Sequence, residues 1–465
     1  MPFERKIIEQ LYLKLIHRKL WIFVCFTIAA TVIVAWFYFT YLFSVNIFFS
    51  DSWDYNRVFI NGLSVFQQFI YQHGPQRLGL GLVITGVLNQ FSGWDETWVS
   101  YCVAILLFLS AIIYLIIKRM LFTKLNPFDV MIVMLVLSLN QFEALTISPF
   151  ISHSAIPALF VSLYCLSLFV KPLILRNALL LTANLNLIFS SFGFFMGPVS
   201  LMLFGLELLA AFRKRNKKEI FVGSITLFFA MVTILLFFIN YSTAYVGNHI
   251  TLLLDKPWQY LFYISLSYSG VFGYRGVGML QTGLGFFILG LVSWVFVQSI
   301  SNLISVKHKL SGNQIILNKI LLVLTSYSLL FSINLAFGRI EFGLALSQSP
   351  RYIPYLIPSL VGVYFYFNCL TMFKKSLIIP ALFIFMLFSQ YLTRNSLADM
   401  KSWHDRKDAW KTAYLKYDNA NMADSVSNFS VYPDNKGITG TLDYLKKHKL
   451  NLYKESGHKS DSTTK

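Results

Sequence analysis

The chain has 465 residues, of which 56% are apolar and only 13% charged, and 45 of them are phenylalanine. Soluble proteins carry about 25% charged residues, and one water-facing core could not hide so much apolar surface. The net charge of +18 would suit nucleic acid, but the cations lie between apolar stretches and in the tail, so the reading is a polytopic all-α membrane protein with no nucleic-acid partner.

Residues 1–20 form a basic leader with Arg5, Lys6, Lys14, Arg18 and Lys19. The apolar stretch 21–43 that follows is too long for a signal-peptide core and is read as an uncleaved anchor. Crossing about 30 Å of hydrocarbon takes roughly 20 apolar residues. On that basis eleven transmembrane helices are expected in a domain spanning 21–393: 21–43, 99–117, 128–146, 155–170, 177–195, 197–212, 220–240, 276–299, 316–337, 353–372 and 377–393. Residues 78–91, LGLGLVITGVLNQF, are expected to form a glycine-rich helix in the outer interface, because a twelfth span there would invert every later loop. The stretch 259–273 is the other one whose reading would change the count. The four cysteines (Cys25, Cys102, Cys165, Cys369) sit singly in apolar sequence and have no metal-ligand spacing.

After 393 the composition changes. Trp403, Trp410, Tyr414 and Tyr417 share one helical face among lysines and arginines, which predicts an interfacial helix on the membrane surface. A second helix, 441–453, has Leu442, Leu445 and His448 at helical spacing, and 455–465 are polar enough to be disordered. The segment 394–465 is therefore read as an external C-terminal unit.

Orientation follows from Lys and Arg in the connections. The segments 1–20, 118–124, 171–176, 213–218, 300–319 and 374–375 hold 20, against 6 in 44–98, 241–275 and 338–352. The N-terminus is thus expected in the cytoplasm and the tail outside.

The first outer segment, 44–98, is long and offers Asp51, Asp54, His73, Arg57, Arg77, Asp95 and Glu96. Long ordered loops are usually functional, and a carboxylate as close to the hydrocarbon edge as Asp51 is costly unless used. The outer cations are mostly arginine (Arg57, Arg77, Arg275, Arg339, Arg351), whose rigid fork suits phosphate or carboxylate. Arg351 stands out because it lies in SPRY at the mouth of a span. The spans themselves show no mid-membrane relay of ionisable groups of the kind an ion-coupled transporter needs.

A carboxylate just after the first span, a long first outer loop, and about eleven helices ending in an external tail resemble the GT-C class of glycosyltransferases. More narrowly they resemble the polytopic glucosyltransferases that bacteria and their phages use to modify O-antigen in serotype conversion. Bacterial relatives carry an E-H-R tripeptide in the first loop and S-R-Y before a late span; here the positions read Pro75-Gln76-Arg77 and Pro350-Arg351-Tyr352, with His73 nearby, so the Glu-His pair is absent. The ending DYLKKHKLNLY is also similar. The resemblance implies a bacterial inner-membrane enzyme that moves a hexose, expected to be glucose, from a polyprenyl-phosphate donor to a surface polysaccharide such as lipopolysaccharide O-antigen. It implies Asp51 as catalytic base with Asp54 in reserve, Arg351 and Arg77 on the donor phosphate, and His73, Gln76 and Tyr352 as sugar or acceptor contacts. No cofactor is expected, although some members of the class use a divalent metal. An O-antigen polymerase or ligase is the alternative reading, and a lipid-linked sugar flippase a third.

The charge count makes a direct prediction. Reporter fusions after residues 120, 216 and 310 should read cytoplasmic, and those after 60, 250, 345 and 420 external. A cytoplasmic reading at 420 would mean an odd number of spans has been miscounted.

Overall fold

The computed structural model describes residues 2–243, 250–305 and 310–454. Two N-terminal helices, α1 (Pro2–His17) and α2 (Lys19–Phe43), lead to short α3 (Ser52–Ile60) and α4 (Val65–Ile70). A two-stranded hairpin, β1 (Gln72–His73) and β2 (Gln76–Arg77), joins them to α5 (Gly79–Ser92) and long α6 (Glu96–Phe122). Then come α7 (Val130–Val136), α8 (Ala155–Ser167), α9 (Leu173–Ile188), α10 (Met196–Arg213) and α11 (Lys217–Phe238). After α12 (Ile250–Asp255) and α13 (Pro257–Val271), the bundle is completed by α14 (Met279–Ile304), α15 (Gly312–Arg339), α16 (Ile353–Asn368) and α17 (Met372–Tyr417), followed by α18 (Ala420–Ser427) and α19 (Asn435–His448).

Seven helices among the described residues are long and apolar enough to cross a membrane: Lys19–Phe43, Glu96–Phe122, Ser191–Arg213, Lys217–Phe238, Met279–Ile304, Gly312–Phe342 and Met372–Tyr417. The other four expected spans are helical but short. The longest of them, α9 and α16, have 16 residues each, about 24 Å at 1.5 Å per residue. Helix α16 is buried along almost its whole length and packs on α15, α8, α14 and α7. Pro358 interrupts it, and the Ser328 hydroxyl fills the break, donating to the Tyr355 carbonyl (2.8 Å) and accepting from the Ser359 amide (3.2 Å).

The segment 128–146 is not one helix. It stops at Val136, passes through the turn Leu139–Gln141, and ends in a π-helical turn, Glu143–Ile147. Its polar residues explain the break: Gln141 Nε2 donates back to the Val136 carbonyl (2.6 Å) and Asn140 Nδ2 to the Val271 carbonyl (3.1 Å).

Helices α5 and α13 stay at one end of the bundle. Gly79 and Gly81 of α5 approach the Phe189 carbonyl and Ser152 so closely that no side chain fits. Tyr260 of α13 packs on Phe337 and Ser269 on Gln348, both at the same end. The lysine- and arginine-rich connections collect at the opposite end, where Lys118 pairs with Asp129 (3.0 Å) and Arg176 with Glu207 (3.2 Å).

The tail differs from expectation. Helix α17 has 46 residues and runs without interruption from the last apolar stretch to Tyr417. Trp410 and Tyr414 are buried in a separate core with Val45, Ile47, Phe48, Trp53, Ile438, Leu442 and Leu445, rather than facing a membrane surface. Residues that looked amphipathic in isolation had a protein partner. Tyr417 and His448 are exposed, and 455–465 lie outside the described residues. Asn451 locks this unit to the first loop: its amide donates to the Gly93 carbonyl (2.9 Å), its side chain to the Trp94 carbonyl (2.7 Å), and its carbonyl accepts from Asn46 (3.0 Å).

A Gly81→Ala change places a methyl 2.1 Å from Ser152 Oγ and 2.5 Å from its amide nitrogen. It should destabilise the protein by about 1–3 kcal/mol, read as a lower thermal midpoint in detergent. Gly205→Ala, where nothing lies within 4 Å, should not.

Candidate functional site

A polar cavity of about 250 Å³ opens at the end where α5 and α13 lie, lined among others by Asp51, His73, Gln76, Glu143, His153, Arg339, Arg351 and Tyr352. Asp51 begins α3 but makes no side-chain cap, so its carboxylate is left to the cavity. Ser50, at positive φ (52°), turns the chain there and is tied to the tail by the hydrogen bond its backbone N–H donates to the Val431 carbonyl (2.9 Å).

The hairpin sorts its residues by face. His73 pairs with Gln76 and Gln72 with Arg77, and side chains directly opposite share a face. His73 and Gln76 line the cavity. Arg77 points the other way, 3% exposed. Its guanidinium donates to the Phe237 carbonyl (2.8 Å) and to the carbonyls of Ile70 and Ile239, and it lies between the rings of Phe189 and Phe237. Arg77 thus caps the end of α11, and its donors are used on backbone that has no intrahelical partner. The geometry gives it a structural task, not a phosphate.

Arg351 does line the cavity, and Glu143 holds it there. The Glu143 carboxylate accepts from the Ser349 hydroxyl (2.7 Å) and the Arg351 amide (3.4 Å) and lies 3.5 Å from the Arg351 guanidinium. Arg339 forms no ion pair among the described residues; its guanidinium rests over Phe342. Tyr352 is buried beside Arg351, whose guanidinium lies over its ring and interacts with its hydroxyl, and its side chain lines the cavity.

His153 sits at the centre of a relay that the sequence reading did not pick out. The Ser191 hydroxyl donates to Gln76 Oε1 (2.6 Å) and so accepts from His153 Nδ1 (3.1 Å). That leaves Nε2 to accept from the Tyr55 hydroxyl (2.9 Å), which is also 3.4 Å from Asp51. Burial pushes the His153 pKa down to about 4, against the pull of Asp51 and with help from Arg351, His73 and Arg339. Burial and the Asp51 charge likewise raise Tyr55 well above the ordinary phenol value. Both are therefore neutral near pH 7. The one sequence signal was the polar interruption Ser152-His153-Ser154 between two apolar runs.

Asp54 turns toward the tail. Its carboxylate accepts from the Tyr432 hydroxyl (3.0 and 3.2 Å) and pairs with Arg57 (3.2 Å), which also donates to the Gly437 carbonyl. One oxygen of Asp54 nevertheless lies within 4.8 Å of both an Asp51 oxygen and a His73 nitrogen. Two carboxylates and an imidazole are a donor set that suits a divalent cation.

Beside the polar cavity runs an aromatic groove of about 650 Å³, lined by Phe194, Phe195, Phe237, Phe238, Phe337 and Phe342. The two share Pro75, Gln76, Phe192 and Arg339 as common wall. Arg339 thus stands where polar and apolar compartments meet. Compared with known proteins, the sequence matches no family model and no curated protein, and the fold matches no solved structure.

The depressed His153 value has a measurable sign. Between pH 6.5 and about 4 the unfolded chain takes up a proton that the folded chain refuses, so stability should fall as pH falls through that window. Thermal unfolding of His153→Asn should show a shallower decline there. Parallel slopes for the two proteins would remove the assignment.

Proposed function

We propose that the chain is a GT-C-type hexosyltransferase of the bacterial inner membrane, moving a sugar, with glucose the first candidate, from a polyprenyl phosphate to O-antigen or a related surface glycan on the outer side. The observation that carries this reading is the junction at Arg339, where a carboxylate- and arginine-lined cavity adjoins a phenylalanine groove. A polyprenyl-phosphate sugar has the same division: a polar head, an anionic phosphate and a long apolar tail. The tail would lie along Phe237, Phe238 and Phe342, the phosphate at Arg339 and Arg351, and the sugar toward Asp51.

In this reading Asp51 accepts the proton of the acceptor hydroxyl as that oxygen attacks the anomeric carbon. The bond from that carbon to the donor phosphate breaks, the phosphate leaves as an anion held by Arg351 and Arg339, and a single displacement inverts the anomeric configuration. Glu143 orients Arg351. Tyr352, His73 and Gln76 offer a hydroxyl, an imidazole and an amide to the sugar or acceptor. A divalent cation, if used, would be held by Asp51, Asp54 and His73 and would add positive charge near the donor phosphate. Eleven crossings, three of them by short helices and one by the broken segment 128–146, accompany this reading, with the N-terminus cytoplasmic and the tail periplasmic.

Asp51→Asn should lower transfer about 10²–10⁴-fold at unchanged membrane protein level, measured as modified surface antigen. Asp54→Asn should be milder, because Asp54 is engaged by Tyr432 and Arg57. Arg351→Lys should fail nearly as badly as Arg351→Ala if the guanidinium fork grips phosphate. Near-normal activity of both Asp51→Asn and Asp54→Asn would sink the base assignment. Altered polysaccharide chain length, in place of one added hexose per repeat, would favour a polymerase.

A further inference from the structure

The opposite end of the bundle holds a second cavity, of about 410 Å³, walled by α9, α10, α11, α14 and α15. Its floor is charged. Glu207 of α10 is paired on one side with Arg176 of α9 (3.2 Å) and on the other with Lys319 of α15. All three are largely buried, and Glu207 and Lys319 lie roughly two turns inside their helix ends. Two cations therefore share one carboxylate. The surplus positive charge sits at a depth where an uncompensated ion is costly. Lys171 and Lys214 line the same cavity and add to the excess. Its other carboxylate, Glu219, accepts from Asn216 (2.9 Å) within its own helix start. The rest of the wall is mixed: Leu203 and Leu206 are apolar, whereas Asn177 and Asn302 are polar.

We propose that this cavity is a second binding site, separate from the one near Asp51, that takes a phosphate group, supplied by the headgroup of an anionic lipid in the lysine-rich leaflet. Excess cation in a pocket between helices, with apolar walls beside it, is the arrangement that holds anionic headgroups. A free phosphate from solution has the same charge and oxygens, so the source must be separated by experiment. The proposal does not depend on the transferase reading.

The test uses the purified full-length protein in nonionic detergent and follows thermal stability with three probes: phosphatidylglycerol, phosphatidylcholine and inorganic phosphate. Phosphatidylglycerol should stabilise and phosphatidylcholine should not. Lys319→Gln should weaken the response about fivefold, the worth of roughly one cation at a membrane surface. Glu207→Gln should strengthen it, because the anion no longer competes with a carboxylate for Arg176 and Lys319. A folding defect could mimic the first change but not the second. Stabilisation by phosphatidylglycerol alone supports the lipid source. Stabilisation by inorganic phosphate at equal strength keeps the phosphate site and overturns the lipid source. A response that is absent, or identical in wild type, Lys319→Gln and Glu207→Gln, overturns the site.

Discussion

Wherever a helix breaks inside a bundle that faces lipid, the carbonyls it frees must find donors within the protein, because hydrocarbon offers none. That constraint governs the end of this molecule that carries the polar cavity. The break after Val136 is closed by Gln141, and Asn140 closes the end of α13 at the Val271 carbonyl. The π-helical turn ends on Lys407, 1% exposed, whose ammonium donates to the carbonyls of Thr146 (3.2 Å) and Ile147 (3.0 Å). The end of α11 is closed by Arg77. Glu143 can present its carboxylate to Arg351 because the turn that bears it is held by a lysine from the far side of the chain. π-helical turns recur at functional sites for this reason: they aim a side chain that a regular helix would point elsewhere.

Lys407 also ties the tail to the first loop. Glu96, 4% exposed, interacts with it electrostatically and accepts from the hydroxyl of Ser52, the residue after Asp51. With the Asp54–Tyr432 and Ser50–Val431 contacts, this makes the C-terminal unit a brace for α3. The tail shares a core with residues 45–53, burying Trp53 and Trp410 completely. The position of Asp51 is thus set by packing on the C-terminal unit as well as by the span that precedes it.

The two ends of the bundle use charge differently. At one end three arginines are separated, each with its own acceptor (Arg77 on carbonyls, Arg351 on Glu143, and Arg275 on Asp399 at 2.7 Å), and Arg339 rests on a ring. At the other, Arg176 and Lys319 converge on one carboxylate and leave positive charge over. The first arrangement fixes geometry around a cavity, and the second gathers surplus cation on one carboxylate.

Much of this was legible in the sequence. Hydropathy located the seven long apolar helices, because it reports the transfer free energy of a window of residues and that quantity is local. The structure brings Asp51, His73, Gln76, Arg351 and Tyr352 around one cavity. What hydropathy could not report is which residue satisfies which backbone group, since those partners are far apart in the chain. Lys407 and Thr146 are 261 residues apart, and Arg77 and Phe237 are 160 apart. For that reason Arg77 looked like a ligand-binding cation, the segment 128–146 looked like one helix, and the face of Trp410 and Tyr414 looked like a membrane anchor. His153 drew no notice because a lone histidine becomes the centre of a relay only when Tyr55, Ser191 and Gln76 arrive from other parts of the chain. The sequence by itself determined the membrane environment and the long apolar helices. Only the tertiary structure decided which charges hold the backbone and which line a cavity, because a hydrogen bond is a statement about distance in space and not along the chain.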